Sequence, residues 1–122
     1  MDKAQALHQF WSSFGVDAYD ENSVPDGAIL PYITYNVATD SLGNVVSLHA
    51  DLWDKSTSWR YVTQLSEEIA QRIKGDSGYP IKIDGGYIYM YGGTPFAQRI
   101  GDPEKDIKRI YINVQAEYLC KY

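Results

Sequence analysis

Three neighbouring segments decide the fold of this chain: residues 31–40 (PYITYNVATD), 45–53 (VVSLHADLW) and 56–74 (STSWRYVTQLSEEIAQRIK). The first two alternate apolar and polar residues, which is the pattern of strands with one buried face. The third repeats apolar residues at helical spacing. The connection at residues 40–44 has the length and the glycine of a hairpin loop. The stretch therefore predicts a hairpin followed by a helix that crosses it, which is the smallest unit of a two-layer α+β domain.

The alternation assigns a buried face and a wet face to the hairpin. The residues expected on the buried face are Ile33, Tyr35 and Val37 in the first strand and Val46, Leu48, Ala50 and Leu52 in the second. Ser47, His49 and Asp51 fall on the wet face. Asp51 and Asp54 are interpreted as acidic residues that favour the nearby helix N-terminus, rather than as paired catalytic carboxylates.

The remaining elements are arranged around this unit. A first helix is expected over Asp2 to Phe14, with an aromatic face that packs on the sheet or also meets a neighbouring subunit. Residues 16–30 are acidic and contain a turn, and they are interpreted as a solvated connection. A second hairpin turns at residues 84–86, and a long strand covers Ile107 to Leu119. Gly92 to Lys105 is expected to be the longest irregular segment.

These elements predict an α+β domain that spans residues 1–122. Its sheet is mostly antiparallel, with about five strands and two helices packed on one face. The predicted order is α-β-β-α-β-β-β. The second helix is expected to start near Ser56 to Ser58 and to end at Gly75. Its buried stripe is Val62, Leu65, Ile69 and Ile73.

Composition narrows the classes of function. The 122 residues carry a formal net charge of −5, which makes wrapping of DNA through phosphate contacts unfavourable. One cysteine, Cys120, cannot form an internal disulfide. No apolar run approaches the roughly 20 residues needed to span a bilayer, so we expect a soluble intracellular product with no membrane partner.

Catalytic and metal-binding patterns are not evident in the sequence. His8 and His49 lie in different predicted elements, and Cys120 alone adds neither the ligand count nor the spacing of a metal site. The glycine pairs at residues 85–86 and 92–93 lack the lysine, serine and following helix of a phosphate loop. We therefore predict no enzyme activity, no cofactor and no metal.

Residues suited to contacts are more prominent. Tyrosine occurs 11 times against 3 phenylalanines, and its apolar body and polar tip suit half-buried faces and interfaces. The candidate contact residues are the hairpin turn with Ser41, Leu42 and Asn44, the row Tyr87, Tyr89 and Tyr91, and the irregular segment with Phe96, Arg99 and Ile100. The tyrosine row is equally compatible with a strand face that covers the protein's own core. No channel-facing residue is assigned.

Three runs carry a resemblance to a known family: SVPDGAILPYITY (Ser23 to Tyr35), SLHADLWDKSTSW (Ser47 to Trp59) and GTPFAQRIGDPEKDIKRIYINVQAEYL (Gly93 to Leu119). In order and in chain length they resemble tail-terminator or tail-completion proteins, from the head–tail module of long-tailed, siphovirus-type bacteriophages and prophages. The runs are not signatures of any chemistry.

The resemblance implies a virion structural protein. Proteins of this family are small α+β proteins that form a six-membered ring. The ring caps the tail tube, ends its polymerisation and joins the tail to the head connector. The implied partners are other copies of the chain, the tail-tube protein, the connector or neck protein, and DNA that passes through the channel without sequence-specific binding. The implied location is the tail or neck of a virion made in the host cytoplasm.

Other functions stay open on the sequence alone. The chain could be another neck protein, of the head-completion or connector type, or a tail-tube subunit. A small ligand-binding or enzymatic domain would need a pocket beneath the segment Gly92 to Lys105. A monomeric structural domain is a further alternative.

Overall fold

The computed structural model describes residues 1–39, 45–74 and 78–120. Its two helices are α1 (Lys3–Ser12) and α2 (Arg60–Ile73). Its strands are β1 (Asp17–Asp20), β2 (Tyr32–Tyr35), β3 (Val45–Lys55), β4 (Tyr79–Ile83), β5 (Gly86–Ile100) and β6 (Ile107–Cys120). The predicted hairpin turn at residues 40–44, with Ser41, Leu42 and Asn44, and the predicted helix end at Gly75 lie outside the described residues.

Helix α1 begins with a complete capping box. The Asp2 carboxylate accepts a hydrogen bond from the Gln5 backbone N–H at 2.8 Å, and the Gln5 side-chain oxygen accepts one from the Asp2 N–H at 3.0 Å. These bonds satisfy two backbone donors that a helix start otherwise leaves unpaired. The predicted aromatic face is confirmed, because Leu7, Phe10, Trp11 and Phe14 are all buried.

The sheet has six strands in the order β1-β2-β3-β6-β5-β4. Strands β1 and β2 are parallel, and every other neighbouring pair is antiparallel. The prediction of about five strands was therefore one short, and the observed order is α-β-β-β-α-β-β-β. The additional strand, Asp17–Asp20, lies in the segment interpreted as a connection. Only Ala18 of its four residues is buried, so no alternation marks it as a strand.

Strand β5 corrects a second prediction. It was expected to end at Tyr91 and to be followed by an irregular segment to Lys105, but it continues to Ile100. Its pairing with β6 is interrupted between Gly92 and Ala97 and then resumes. The Gly-Gly-Thr-Pro sequence therefore marks a bulge inside a strand, not the end of the strand.

Helix α2 starts at Arg60, two residues later than expected, with Trp59 as an N-cap that makes no side-chain capping bond. Ser58 contributes locally, since its hydroxyl accepts a hydrogen bond from the Arg60 N–H at 3.1 Å. The predicted stripe is confirmed, because Val62, Leu65, Ile69 and Ile73 are buried. It faces the sheet through contacts with β3, β5 and β6.

Both helices cover the same face of the sheet. Paired residues of neighbouring strands, such as Ala50 with Ile112 and Met90 with Ala116, are fully buried and belong to one core cluster with the helix residues. Helix α1 contacts both outermost strands, β1 and β4, so the sheet curves around it. Neither of the two described helices lies on the opposite face, and the candidate functional residues lie mainly there.

Candidate assembly interface

The face of the sheet that carries no helix is called the open face below. Its centre combines residues of three strands: Thr34 on β2, Asp51 and Trp53 on β3, and Arg109 on β6. The Arg109 Nε donates a hydrogen bond to Asp51 Oδ1 at 2.8 Å, and the Trp53 Nε1 donates one to Thr34 Oγ1 at 2.9 Å. The Arg109 guanidinium also lies over the Trp53 ring, 4.8 Å from its centroid. These four residues are called the ionic cluster.

The ionic cluster is largely self-satisfied. The Asp51 side chain is only 7 % exposed and the Arg109 side chain 31 %. A carboxylate this deep is tolerated because the guanidinium pairs with it and supplies a charge-assisted hydrogen bond. The sequence suggested that Asp51 acts at a helix N-terminus, but in the structure Asp51 pairs with Arg109 instead. Arg109, the third residue of β6, could not be chosen as the partner of Asp51 from the sequence without the register between β3 and β6.

His49 forms a second polar contact on the open face. Its Nε2 lies 2.8 Å from the Glu21 carboxylate, and its ring stacks on Tyr111 at 5.6 Å between centroids and 22° between planes. Asn36 holds the backbone beneath it, because its side-chain oxygen accepts a hydrogen bond from the His49 N–H at 2.7 Å. These contacts link the segment after β1 to the centre of the sheet.

The predicted row Tyr87, Tyr89 and Tyr91 does lie on one face of β5, opposite the buried Ile88 and Met90. On the neighbouring strands, the exposed Leu119 pairs with Tyr87, and the exposed Val45 pairs with Glu117 of β6. The tyrosine patch is defined here as Val45, Tyr87, Tyr89, Tyr91 and Leu119. Because the helices lie on the other side, these rings do not cover the core.

Tyr91 is the most constrained member of the tyrosine patch. Its hydroxyl donates a hydrogen bond to a Glu117 carboxylate oxygen at 3.3 Å. Desolvation, followed by the Glu117 charge, raises the pKa of Tyr91 above its usual value. The ring lies against Gly78, whose φ of +83° favours glycine and where a Cβ would stand 2.8 Å from the ring.

The other predicted contact residues of β5 are divided among different surroundings. Phe96 packs against the edge of the core, and its ring lies beside Gly92. Ile100 pairs with Arg109 and therefore shares the open face. Arg99 pairs with the buried Ile110 and points to the helix side, where its guanidinium lies 4.8 Å from the centroid of Trp59. The structure does not bring these three residues together as one loop surface.

The bulge in β5 contains a close approach to β6 at Gly93. A Cβ at Gly93 would lie 2.8 Å from the Asn113 backbone oxygen and 2.5 Å from its side-chain nitrogen. Only glycine allows the two strands to approach this closely, and pairing resumes at Ala97 with Ile112. The bulge thus places Arg99 and Ile100 at the same end of the sheet as Trp53 and Arg109.

The described polar contacts away from the open face include those of His8. His8 Nδ1 lies 2.9 Å from the Tyr35 hydroxyl, and its Nε2 lies 3.3 Å from the Ser12 hydroxyl. Burial, followed by the charge of Asp20, raises the pKa of Tyr35. Within the described ranges, no group of three or more His, Cys, Asp or Glu side chains is placed to hold a metal ion.

A groove next to the β5 bulge tests the alternative of a ligand pocket. It is lined by Thr63, Ser66, Ala97, Gln98, Arg99 and Ile110, and its volume is about 170 Å³. Small-molecule sites usually enclose roughly 300–1,000 Å³ and are mostly apolar, so this groove is smaller than the usual site.

None of the helices in the described part of the chain is long and apolar enough to cross a membrane.

Sequence reasoning missed two features of this surface, the ionic cluster and the edge strand β1. The sequence signal for the ionic cluster was the polar face of β3 and the polar face of β6. Which residues of the two faces meet depends on the register between the strands. For the second, the only signal was the isolated Ala18 among acidic residues.

Comparison with known proteins gives one informative likeness. No family model matches the chain, and no curated protein matches it. A solved chain in the virion of a native gene transfer agent particle is similar, with a TM-score of 0.61 and 16 % sequence identity over 94 % of this chain and 84 % of that one. At this identity the likeness shows a shared fold. The chain therefore has the fold of a protein found in the virion of a gene transfer agent particle.

Proposed function

We propose that this chain is a virion structural protein that assembles with copies of itself into a ring on the tail tube. The ring ends tail polymerisation and joins the tail to the head connector, as the resemblance of residues 23–35, 47–59 and 93–119 to tail-terminator proteins implies. The observation that carries the proposal is the shared fold with a chain of a virion, which extends over most of both chains.

The surfaces of the molecule support an assembling role. Tyr87 is 42 % exposed and Leu119 43 % exposed, and together with Val45 they place apolar area on a sheet face that no helix covers. Exposed aromatic and aliphatic groups on a flat face favour protein contacts over small-molecule binding. In this proposal the partners are other copies of the chain, the tail-tube protein and the connector or neck protein, and DNA passes through the ring. An acidic channel lets DNA slide rather than bind, and the net charge of −5 agrees with such a channel.

The direct test is the mass of the purified protein by light scattering, with negative-stain imaging of the same sample and of isolated tails. We expect closed particles of one size, and the same particles at one end of each tail. Open stacks of variable length would favour a tail-tube subunit. Particles found on heads without tails would favour a head-completion or connector protein. A protein that stays monomeric at high concentration and never joins tails would contradict the proposal.

A further inference from the structure

The two ends of β5 have different neighbours. Strand β4 pairs only with Gly86 to Met90, so the segment Ala97 to Ile100 has β6 on one side and no described strand on the other. Ala97, Gln98 and Arg99 are all exposed. In a strand pair, alternate residues point their N–H and C=O groups away from the partner, so this segment offers unpaired backbone groups at an exposed edge.

The opposite edge of the sheet at this end is β1. Strand β1 pairs only with β2, in parallel, and its other side has no described strand. At this end of the sheet the free edges among the described residues are therefore β1 and Ala97 to Ile100 of β5, whereas β4 is the outer strand beside the other half of β5.

The two free edges lie at the same level of the sheet. One row of paired residues crosses five strands and consists of Asp17, Tyr32, Trp53, Arg109 and Ile100. Four strand spacings of roughly 4.8 Å separate its ends along the sheet. Following the pairing from strand to strand, β1 and β5 run in opposite directions. A second copy placed beside the first in the same orientation would therefore present its β1 antiparallel to this segment of β5.

The charges of the two edges are complementary. The ion pairs among the described residues include neither Arg99 nor Lys108, and both cations lie over the Trp59 ring, at 4.8 and 5.7 Å from its centroid. The same ion pairs leave out Asp17 and Asp20 of β1. If the row continues straight into the neighbouring copy, Ala18 of that copy stands opposite Arg99 of the first. Asp20 of the neighbouring copy then lies diagonal to Arg99, on the helix side. An arginine side chain reaches across such a diagonal.

We propose that β1 of one copy pairs antiparallel with residues 97–100 of β5 in a second copy, so that the sheet continues from subunit to subunit. The inference rests on the proposed function, because it specifies the contact between ring subunits. The two edges are different surfaces of one chain, which makes the contact head-to-tail, the type that forms a ring when the rotation from one subunit to the next closes. Each edge is only four residues long and carries charged side chains, which limits pairing with unrelated strands.

The test is a disulfide across the expected register. Tyr19 and Gln98 stand opposite each other in the straight-row arrangement, and Cα atoms of opposed residues lie roughly 4.5–5.5 Å apart, within disulfide reach. A chain with Tyr19→Cys, Gln98→Cys and Cys120→Ala, once oxidised, should give a ladder of covalent oligomers on a non-reducing gel. The matched control, Tyr19→Cys with Tyr87→Cys and Cys120→Ala, places the second thiol at the far end of β5 and should give no ladder. Circular dichroism and light scattering of the reduced variants check folding and assembly.

The outcomes separate this inference from the proposed function. Rings formed by the wild type and the reduced variants, without a ladder or with the same ladder from the control, would overturn the strand pairing and leave the ring intact. Cross-linking of the Gln98→Cys thiol to a tail-tube protein in isolated tails would overturn pairing between copies. A wild-type chain that stays monomeric would overturn both proposals.

A charge exchange provides a second readout. Arg99→Asp should raise the concentration needed for half-assembly by about tenfold, since it replaces the attraction to Asp20 across the contact with repulsion. Asp20→Arg in the same chain should restore assembly. If Arg99→Asp assembles like the wild type, or if Asp20→Arg worsens its defect, the proposed register is wrong.

Discussion

The ionic cluster and the tyrosine patch lie on the same open face, but their side chains are used differently. In the ionic cluster, Asp51 and Trp53 both have a partner within 2.9 Å, and Asp51 is buried. In the tyrosine patch, the rings of Tyr87 and Tyr89 lie 6.0 Å apart between centroids, and Tyr87 remains 42 % exposed. The first arrangement joins neighbouring strands of the sheet, whereas the second leaves apolar area exposed. The two regions therefore differ in how exposed their side chains are and in how far those side chains are already paired within the chain.

The largest expected effect on stability comes from breaking the ionic cluster. Arg109→Met should lower the free energy of unfolding by about 3 kcal/mol, because it leaves the buried Asp51 carboxylate without its cation. Urea denaturation measures this change. Lys108→Met removes the same charge from the adjacent position and should change stability by no more than about 0.5–1 kcal/mol. Equal losses in the two variants would mean that net charge, and not the pair with Asp51, is responsible.

A double change should show that the loss belongs to the pair. Asp51→Asn combined with Arg109→Met should recover a large part of the stability lost in Arg109→Met, because no unpaired charge remains buried. The same urea experiment gives the coupling free energy. Additive losses would show that the two side chains do not act together.

A smaller effect is expected at the indole of the ionic cluster. Trp53→Phe removes the hydrogen bond to Thr34 but keeps an aromatic ring for Arg109, and should cost about 1 kcal/mol. Thermal unfolding of the variant and of Thr34→Val measures it. A cost near 3 kcal/mol in Trp53→Phe would indicate that ring size, not the hydrogen bond, supports the cluster.

In the tyrosine patch the expected effect on stability is close to zero. Tyr87→Ser with Leu119→Ser should change the free energy of unfolding by about 0.5 kcal/mol or less per residue, because both side chains are exposed. The same variant should lose assembly or tail joining, as judged by light scattering and imaging. Normal assembly would show that this patch is not a contact surface.

The smallest expected change is a shift in one titration. The pKa of Tyr91 is raised by desolvation and then by the Glu117 charge, so Tyr91 should ionise at a higher pH than a free tyrosine. Glu117→Gln removes the charge and should move the Tyr91 titration towards lower pH, as followed by tyrosinate absorbance against a Tyr91→Phe reference. An unchanged titration would mean that Glu117 does not face the hydroxyl in solution.

Much of the core could be predicted because its pattern is local. The stripe of α2 and the alternation in β3 and β6 appear directly in residue spacing, since a helix and a strand each impose their own period. The same spacing placed Tyr87, Tyr89 and Tyr91 on one face. Whether that face covers the core or faces outward could not be decided, because a two-residue period does not say on which side the helices pack.

By itself, the sequence determined most of the residues that form the helices, the main strands and their buried sides. The exception is Val37, which was expected on the buried face of the first strand but lies beyond the end of β2 and is 36 % exposed. Only the tertiary structure decided that Asp17–Asp20 forms a strand, that β5 continues through its glycines to Ile100, and that Asp51 pairs with Arg109. Each of these depends on a partner distant in the chain: β2 for the first, β6 for the other two. Local propensity cannot reveal such pairings, because the hydrogen bonds and charges that stabilise them form only when the register between strands is set.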